Sequence, residues 1–220
     1  MTTPSAPAIA IPPTRGERAL VLTIVVAALL WSAIAPRDRM TWFLEVVWVI
    51  AALPAIALNW RRFPLTRLLC WLLAAHALVL IHGGAYTYAE TPFGFWLRDA
   101  GHALGLHLSR NPWDRLGHVM QGFVPAILAR ELLLRCTPLR RGGWLVYLVL
   151  AACLSFSALF ELIEWWSALA FGADADAFLA TQGDVWDTQW DMFLCLCGAS
   201  ASLLLWSRVH DRQLGPAATR

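Results

Sequence analysis

Residues 144–170 read WLVYLVLAACLSFSALFELIEWWSALA, and their only charged side chains are Glu161 and Glu164. A helix that crosses a bilayer needs roughly 20 apolar residues rising about 1.5 Å each, so this stretch is long enough to span. Counted from Trp144, the two glutamates fall about 26 and 30 Å along such a helix. They stand three residues apart on one face, within an apolar run where neither can serve as a cap. An ionised group placed in a bilayer costs at least about 2.5 kcal/mol, so a membrane helix carrying two of them needs a reason for both.

Outward from this segment the same reading yields five more spans, giving an all-α, polytopic bundle of six transmembrane helices. They fall near 19–35, 41–58, 68–89, 116–134, 144–170 and 187–206. Residues 1–18 and 207–220 read as cytoplasmic tails around a single membrane domain. Composition agrees: 59% of the chain is hydrophobic and 15% charged, against about 25% charged in a typical soluble domain. A soluble globular enzyme is excluded on these figures. The net charge of +2 offers no basic face for nucleic acid. Ala33-Ile34-Ala35 resembles a signal-peptidase site, but the preceding apolar run exceeds the 7–15 residues of a signal sequence and Pro36 follows the cut, so the first helix is expected to be retained.

All 17 basic residues are arginine, and their distribution sets an orientation. Eleven, among them Arg61, Arg62, Arg140 and Arg141, fall on one side. Arg37, Arg39, Arg98, Arg110 and Arg115 fall on the other, with Arg130 inside the fourth span. The richer side is expected to be cytoplasmic, which places both termini there and the protein in a bacterial inner membrane. Acids run the other way, with Glu90, Asp99, Asp174 and Asp176 in outer loops. Most of the 13 tryptophans mark the two boundaries, Trp48 being the mid-span exception. The outer connection from Glu90 to Trp113 carries Phe93, Trp96, Leu97, Ala100, Ala103 and Leu104 at helical spacing; an interfacial helix and an ordinary loop both fit. The five cysteines imply no disulfide framework or thiolate metal site.

The acids in the outer halves of the spans converge. Asp114 and His118 are four apart on one face of the fourth span, and Asp184, Asp187 and Asp191 form a stripe if the last helix begins early enough. Together with Glu161 and Glu164, three helices bring acids to one depth, and His82, followed by Tyr86 and Tyr88, adds a fourth contributor. So many carboxylates cannot all remain ionised without compensation, and Arg115 is the one fixed cation in view. A divalent metal, most simply two ions, is the economical solution; Mg, Mn, Fe and catalytic Zn all suit oxygen ligands with one or two imidazoles. The candidate ligands are His118, Glu161, Glu164, Asp184, Asp187 and Asp191. Asp114 orients His118 or binds directly, and His82 or Tyr86 assists proton transfer. Plainer roles stand beside these. Asp184 and Asp187 also fit solvated acids or caps, Asp114 a cap after Asn111-Pro112-Trp113, His82 an interfacial hydrogen-bonder, and the glutamates a structural pair. His76 and Glu45 read as bundle hydrogen-bonders, and the pair Arg130-Glu131 as snorkelling towards the cytoplasmic boundary.

The segments His82-Gly83-Gly84-Ala85-Tyr86-Thr87-Tyr88-Ala89, Trp113-Asp114-Arg115-Leu116-Gly117-His118 with Gln121-Gly122-Phe123, Glu161-Leu162-Ile163-Glu164-Trp165, and Gly183 to Met192 occur in that order. In these the chain resembles the YjdF-like family of bacterial inner-membrane proteins, from roughly Arg61 to Trp206. The Asp-Arg-x-x-His segment and the later acids also bear a weaker likeness to VanZ-type membrane proteins. The resemblance implies a multi-spanning inner-membrane protein and supplies no reaction.

Three functions compete. A metal-dependent hydrolase or transferase would act at the outer leaflet on a lipid or lipid-linked substrate. An ion- or proton-coupled transporter would use the same carboxylates as a relay, but would need polar residues continuing to the cytoplasmic side. A non-catalytic membrane protein would hold the acids as a structural network.

Overall fold

The computed structural model describes residues 11–172 and 176–215, so Asp174, the first ten residues and the last five lie outside the described residues. Every regular element among the described residues is helical: α1 (Arg15–Ile34), α2 (Arg39–Asn59), α3 (Arg67–Tyr86), a 3-10 turn (Tyr88–Glu90), α4 (Pro92–Ala103), α5 (Trp113–Cys136), α6 (Gly143–Phe171), α7 (Asp176–Leu179) and α8 (Asp187–Leu214). Among the described residues five helices, α1, α2, α3, α6 and α8, are long and apolar enough to cross a membrane. The sixth long helix, α5, has 24 residues, about 36 Å, but buries Asp114, His118, Gln121, Arg130, Glu131 and Arg135 among its neighbours. A helix surrounded by protein need not be apolar, because other helices rather than lipid meet its polar groups.

Local chemistry sets the helix starts. Thr14 and Glu17 close a reciprocal capping box on α1, Glu17 N–H donating to Thr14 Oγ1 at 3.1 Å and Thr14 N–H to Glu17 Oε2 at 2.9 Å. Asp38 Oδ1 accepts from Thr41 N–H at 2.6 Å to begin α2. At the start of α5 it is Asn111 whose Oδ1 accepts from Trp113 N–H at 3.0 Å, which leaves Asp114 free for the interior. The third span stops at Tyr86, three residues before its expected end, because Thr87 takes φ +61° and folds Tyr88 back under the bundle. Tyr88 fills the space beside Gly83 and Gly117, where an added Cβ would stand 2.0 and 2.7 Å from its ring.

The helices form two units. α1 and α2 each pack on α3 around Val25, Val46, Val49, Ala74 and Ile81. α5, α6 and α8 share a second core of Ala126, Val149, Cys153, Cys195, Ala199 and Leu203. Leu65, Leu69 and Ile127 join the two units where α3 meets α5. The closest approach is between α5 and α8. A Cβ on Gly122 would stand 1.8 Å from the Cys195 carbonyl oxygen, and one on Gly198 2.0 Å from that of Val119. Small residues at such a crossing let two helix backbones touch, a strong attractive device where lipid offers no hydrophobic gradient.

Both described chain ends lie at one end of the bundle, where Ile11 N–H donates to Gln213 O at 3.1 Å and Leu68 N–H to Gln213 Oε1 at 2.7 Å. The expected snorkelling of Arg130 and Glu131 at this end is corrected by the fold. Glu131 is fully buried: Oε1 accepts from Arg135 Nη1 at 2.6 Å, Oε2 from Thr66 Oγ1 at 2.7 Å, and His210 Nε2 lies 3.0 Å away. Arg130 reaches His210 Nδ1 at 2.9 Å and Asp211 Oδ1 at 2.5 Å. α8 remains helical to Leu214 rather than ending near 206, because His210 and Leu214 are needed to close this network and its apolar surround. Between Glu90 and Trp113 the chain does form a helix, α4, with Phe93 stacked on Trp96 at 5.2 Å and Trp96 60% exposed.

Candidate functional site

At the opposite end of the bundle, the α5–α8 contact sets Asp114 and His118 against Asp187 and Asp191. All four are buried. His118 Nε2 lies 3.6 Å from Asp114 Oδ1 and 3.7 Å from Asp191 Oδ2, too far for good hydrogen bonds and close enough to share one bound species. Ligand atoms of these three residues all fall within 4.8 Å of one another. The other ring nitrogen, Nδ1, is 3.1 Å from Gln121 Oε1. An amide oxygen only accepts, so Nδ1 carries a proton, and Nε2 is the ring atom that faces the two carboxylates.

Two arginines hold the remaining carboxylate oxygens. Arg110 donates to Asp114 Oδ2 at 2.7 Å, to Asp187 Oδ1, and to the Ala180 carbonyl at 3.0 Å. Arg115 donates to Asp191 Oδ1 at 2.7 Å and Asp184 Oδ2 at 2.8 Å, and its Nη2 is 3.0 Å from Asp187 Oδ1. The single-cation expectation is therefore corrected: Arg110 is a second fixed cation, carried into the cluster by the turn at Asn111-Pro112. Burial by itself would lower the Arg110 pKa, but the bond to Asp187 and the fields of Asp114, Asp187 and Asp191 carry it upward. That turn is pinned to the α7–α8 loop, since Asn111 N–H donates to Gln182 Oε1 at 2.9 Å and Gln182 Nε2 donates to Asn111 O at 3.1 Å.

The other candidates occupy distinct places. Asp184 precedes α8, accepts from Trp186 N–H at 2.9 Å and is partly exposed, so it combines a turn-forming role with its bond to Arg115. Glu161 on α6 is 8% exposed and its Oε1 has no hydrogen-bond partner among the described residues. Glu164 lines a cavity that also reaches Asp114 and His118. His82 sits among rings, 4.7 Å from Trp113 and 5.0 Å from Tyr86, and Tyr86 turns towards Trp31 at 6.2 Å; neither lines the cavity. Glu45 on α2 and Tyr88 do line it, and both lay outside the expected set. Burial first, and then the neighbouring Glu45 carboxylate, push the Tyr88 phenol well above its usual range. The cavity has a volume of about 590 Å³ and runs between the two helical units.

The fold and its buried charge define an integral membrane protein of helical-bundle type. Residues 18–212 match the model of the family described as "Predicted membrane protein (DUF2238)", and the chain belongs to that family. It is 47% identical over 196 residues to the inner membrane protein YjdF of Escherichia coli (strain K12), covering 89% of this chain and 90% of that protein. No solved structure matches. These relationships make the chain an inner-membrane protein of the YjdF family.

Proposed function

We propose that Asp114, His118 and Asp191 hold a single divalent metal ion, and that the protein is a metal-dependent hydrolase or transferase acting on a lipid or lipid-linked substrate at the periplasmic face. The observation that carries this reading is the convergence of one imidazole nitrogen and two carboxylate oxygens within 4.8 Å in a buried pocket. Donor separations of 3.6 and 3.7 Å are those of neighbouring ligands around a small ion that holds each at about 2.0–2.2 Å. Three protein ligands leave positions open for water and substrate, the pattern of catalytic rather than structural sites. Gln121, by holding the Nδ1 proton, fixes the tautomer the ion requires.

Charge balance supports a bound cation. Four aspartates face two arginines, so an excess of two negative charges remains before Glu161 and Glu164 are counted. One divalent ion offsets that excess. Glu161, whose buried Oε1 has no hydrogen-bond partner among the described residues, would serve as a general base beside such an ion. The arginine asymmetry read from the sequence supports a periplasmic position for this end.

A transporter would need a polar route from this cluster to the Glu131–His210 network. Those layers are separated by thirteen residues of α5, about 20 Å, through Val124, Ala126 and Ile127. Thermal melting of the purified protein with EDTA and with added Mn²⁺ tests the metal reading. A rise in Tm with the ion that disappears in His118→Ala supports it, and identical melting in both conditions overturns it.

A further inference from the structure

The cavity does more than give access to the polar site. Its wall on α2 is one helical face made by Glu45, Trp48, Val49, Ala52, Ile56 and Trp60. From Glu45 to Trp60 that face is about 22 Å long, against about 15 Å for half of a bilayer's hydrocarbon core. The cavity, of about 590 Å³, follows this face from one end to the other. Charge stands at the two ends, acids and His118 at one and Arg18 and Arg61 at the other. Apart from Gln121, Cys70 and His76, the walls between are apolar, and an elongated apolar tail is what such a slot selects.

We propose that this cavity lodges a hydrocarbon chain longer than one leaflet, belonging to a lipid whose polar group reaches the Asp114–His118–Asp191 site. The polar group's role rests on the proposed function; the lodging of the chain does not. Ala52 on α2 and Ala77 on α3 line the slot, so a large side chain at either position displaces the guest. Polyprenyl chains have the required form, one tail of extended length, whereas a phospholipid brings two shorter ones.

The test is native mass spectrometry of the full chain purified with EDTA and exposed to prenyl alcohols of increasing length, to polyprenyl phosphate and to phosphatidic acid. Retention of the prenyl alcohols is expected to rise with length and then level off once the chain spans the slot. Ala52→Trp and Ala77→Trp are expected to lower retention at least about tenfold, since an indole in the slot excludes methylenes whose burial holds the chain. Leu204→Trp, at a position 85% exposed, should leave retention unchanged. Retention independent of length, retention unchanged in both slot variants, or phosphatidic acid held as well as polyprenyl phosphate would overturn the proposal. If the slot variants do not fold, the length series on the unmodified chain decides. Chain retention is read in EDTA and metal content separately after equilibration with Mn²⁺, so a protein that retains prenyl alcohol but binds no metal sinks the metal reading alone, and one that binds metal but no chain sinks this one alone.

Discussion

Gly122 on α5 faces Cys195 on α8 so closely that a Cβ would stand 1.8 Å from the Cys195 carbonyl oxygen. The contact lies one helical turn from His118 and from Asp191, so the spacing of the two backbones sets the spacing of the candidate ligands. Gly122→Ala must push the helices apart or bend one of them. The expected loss is about 1–3 kcal/mol or more from overpacking, read as a lowered Tm in detergent. Gly198→Ala, meeting the Val119 carbonyl at 2.0 Å, should behave alike. Unchanged melting in both variants would show that the two backbones are not in contact.

Arg110 holds Asp114 and Asp187 together, and its removal leaves two buried carboxylates short of a partner. Arg110→Gln is expected to lower stability by about 3–5 kcal/mol without metal. Added Mn²⁺ should restore part of the loss, because a bound cation replaces some of the missing charge. Melting curves with and without the ion check both statements.

Glu131 anchors the opposite end through Arg135, Thr66 and His210. Glu131→Ala strands Arg135 in a buried setting and should cost about 3–5 kcal/mol, while Glu131→Gln, which keeps the acceptor oxygen, should cost less. Both should leave metal content at the other end unaltered, which separates the two polar layers experimentally.

Tyr88 supplies a pH dependence. Burial and then Glu45 raise its phenol pKa in the folded protein, so the unfolded chain loses this proton first as pH climbs past its ordinary value of about 10. The unfolded state then binds fewer protons, and stability falls with rising pH above that point; below it the contribution is flat. Tyr88→Phe should remove this part of the slope. Denaturation followed from pH 9 to 11 in both proteins measures it, and parallel slopes would contradict it.

Much of this was legible along the chain. Spans show as apolar runs, and Asp114 with His118, or Asp187 with Asp191, show as i, i+4 pairs because helix geometry converts spacing into a shared face. Arg110 was not legible, since it precedes α5 and reaches the cluster only through the turn pinned by Asn111 and Gln182, 71 residues apart. Gln121 carried a faint signal, three residues after His118 on the same face. Arg130 and Glu131 were misread because their partners Thr66 and His210 are 65 and 79 or more residues away, and no local pattern reports a contact of that range. The early stop of α3 was hidden too, because Thr87 adopts a backbone conformation its residue type does not announce.

Elemental analysis of the purified protein, after equilibration with Mn²⁺ and removal of free ion, tests the central claim most directly. The expected result is one divalent ion per chain, lost in His118→Ala and in Asp191→Asn while both variants remain folded. A metal-free protein, or equal metal in the parent and both variants, would contradict the assignment of Asp114, His118 and Asp191 as a metal site.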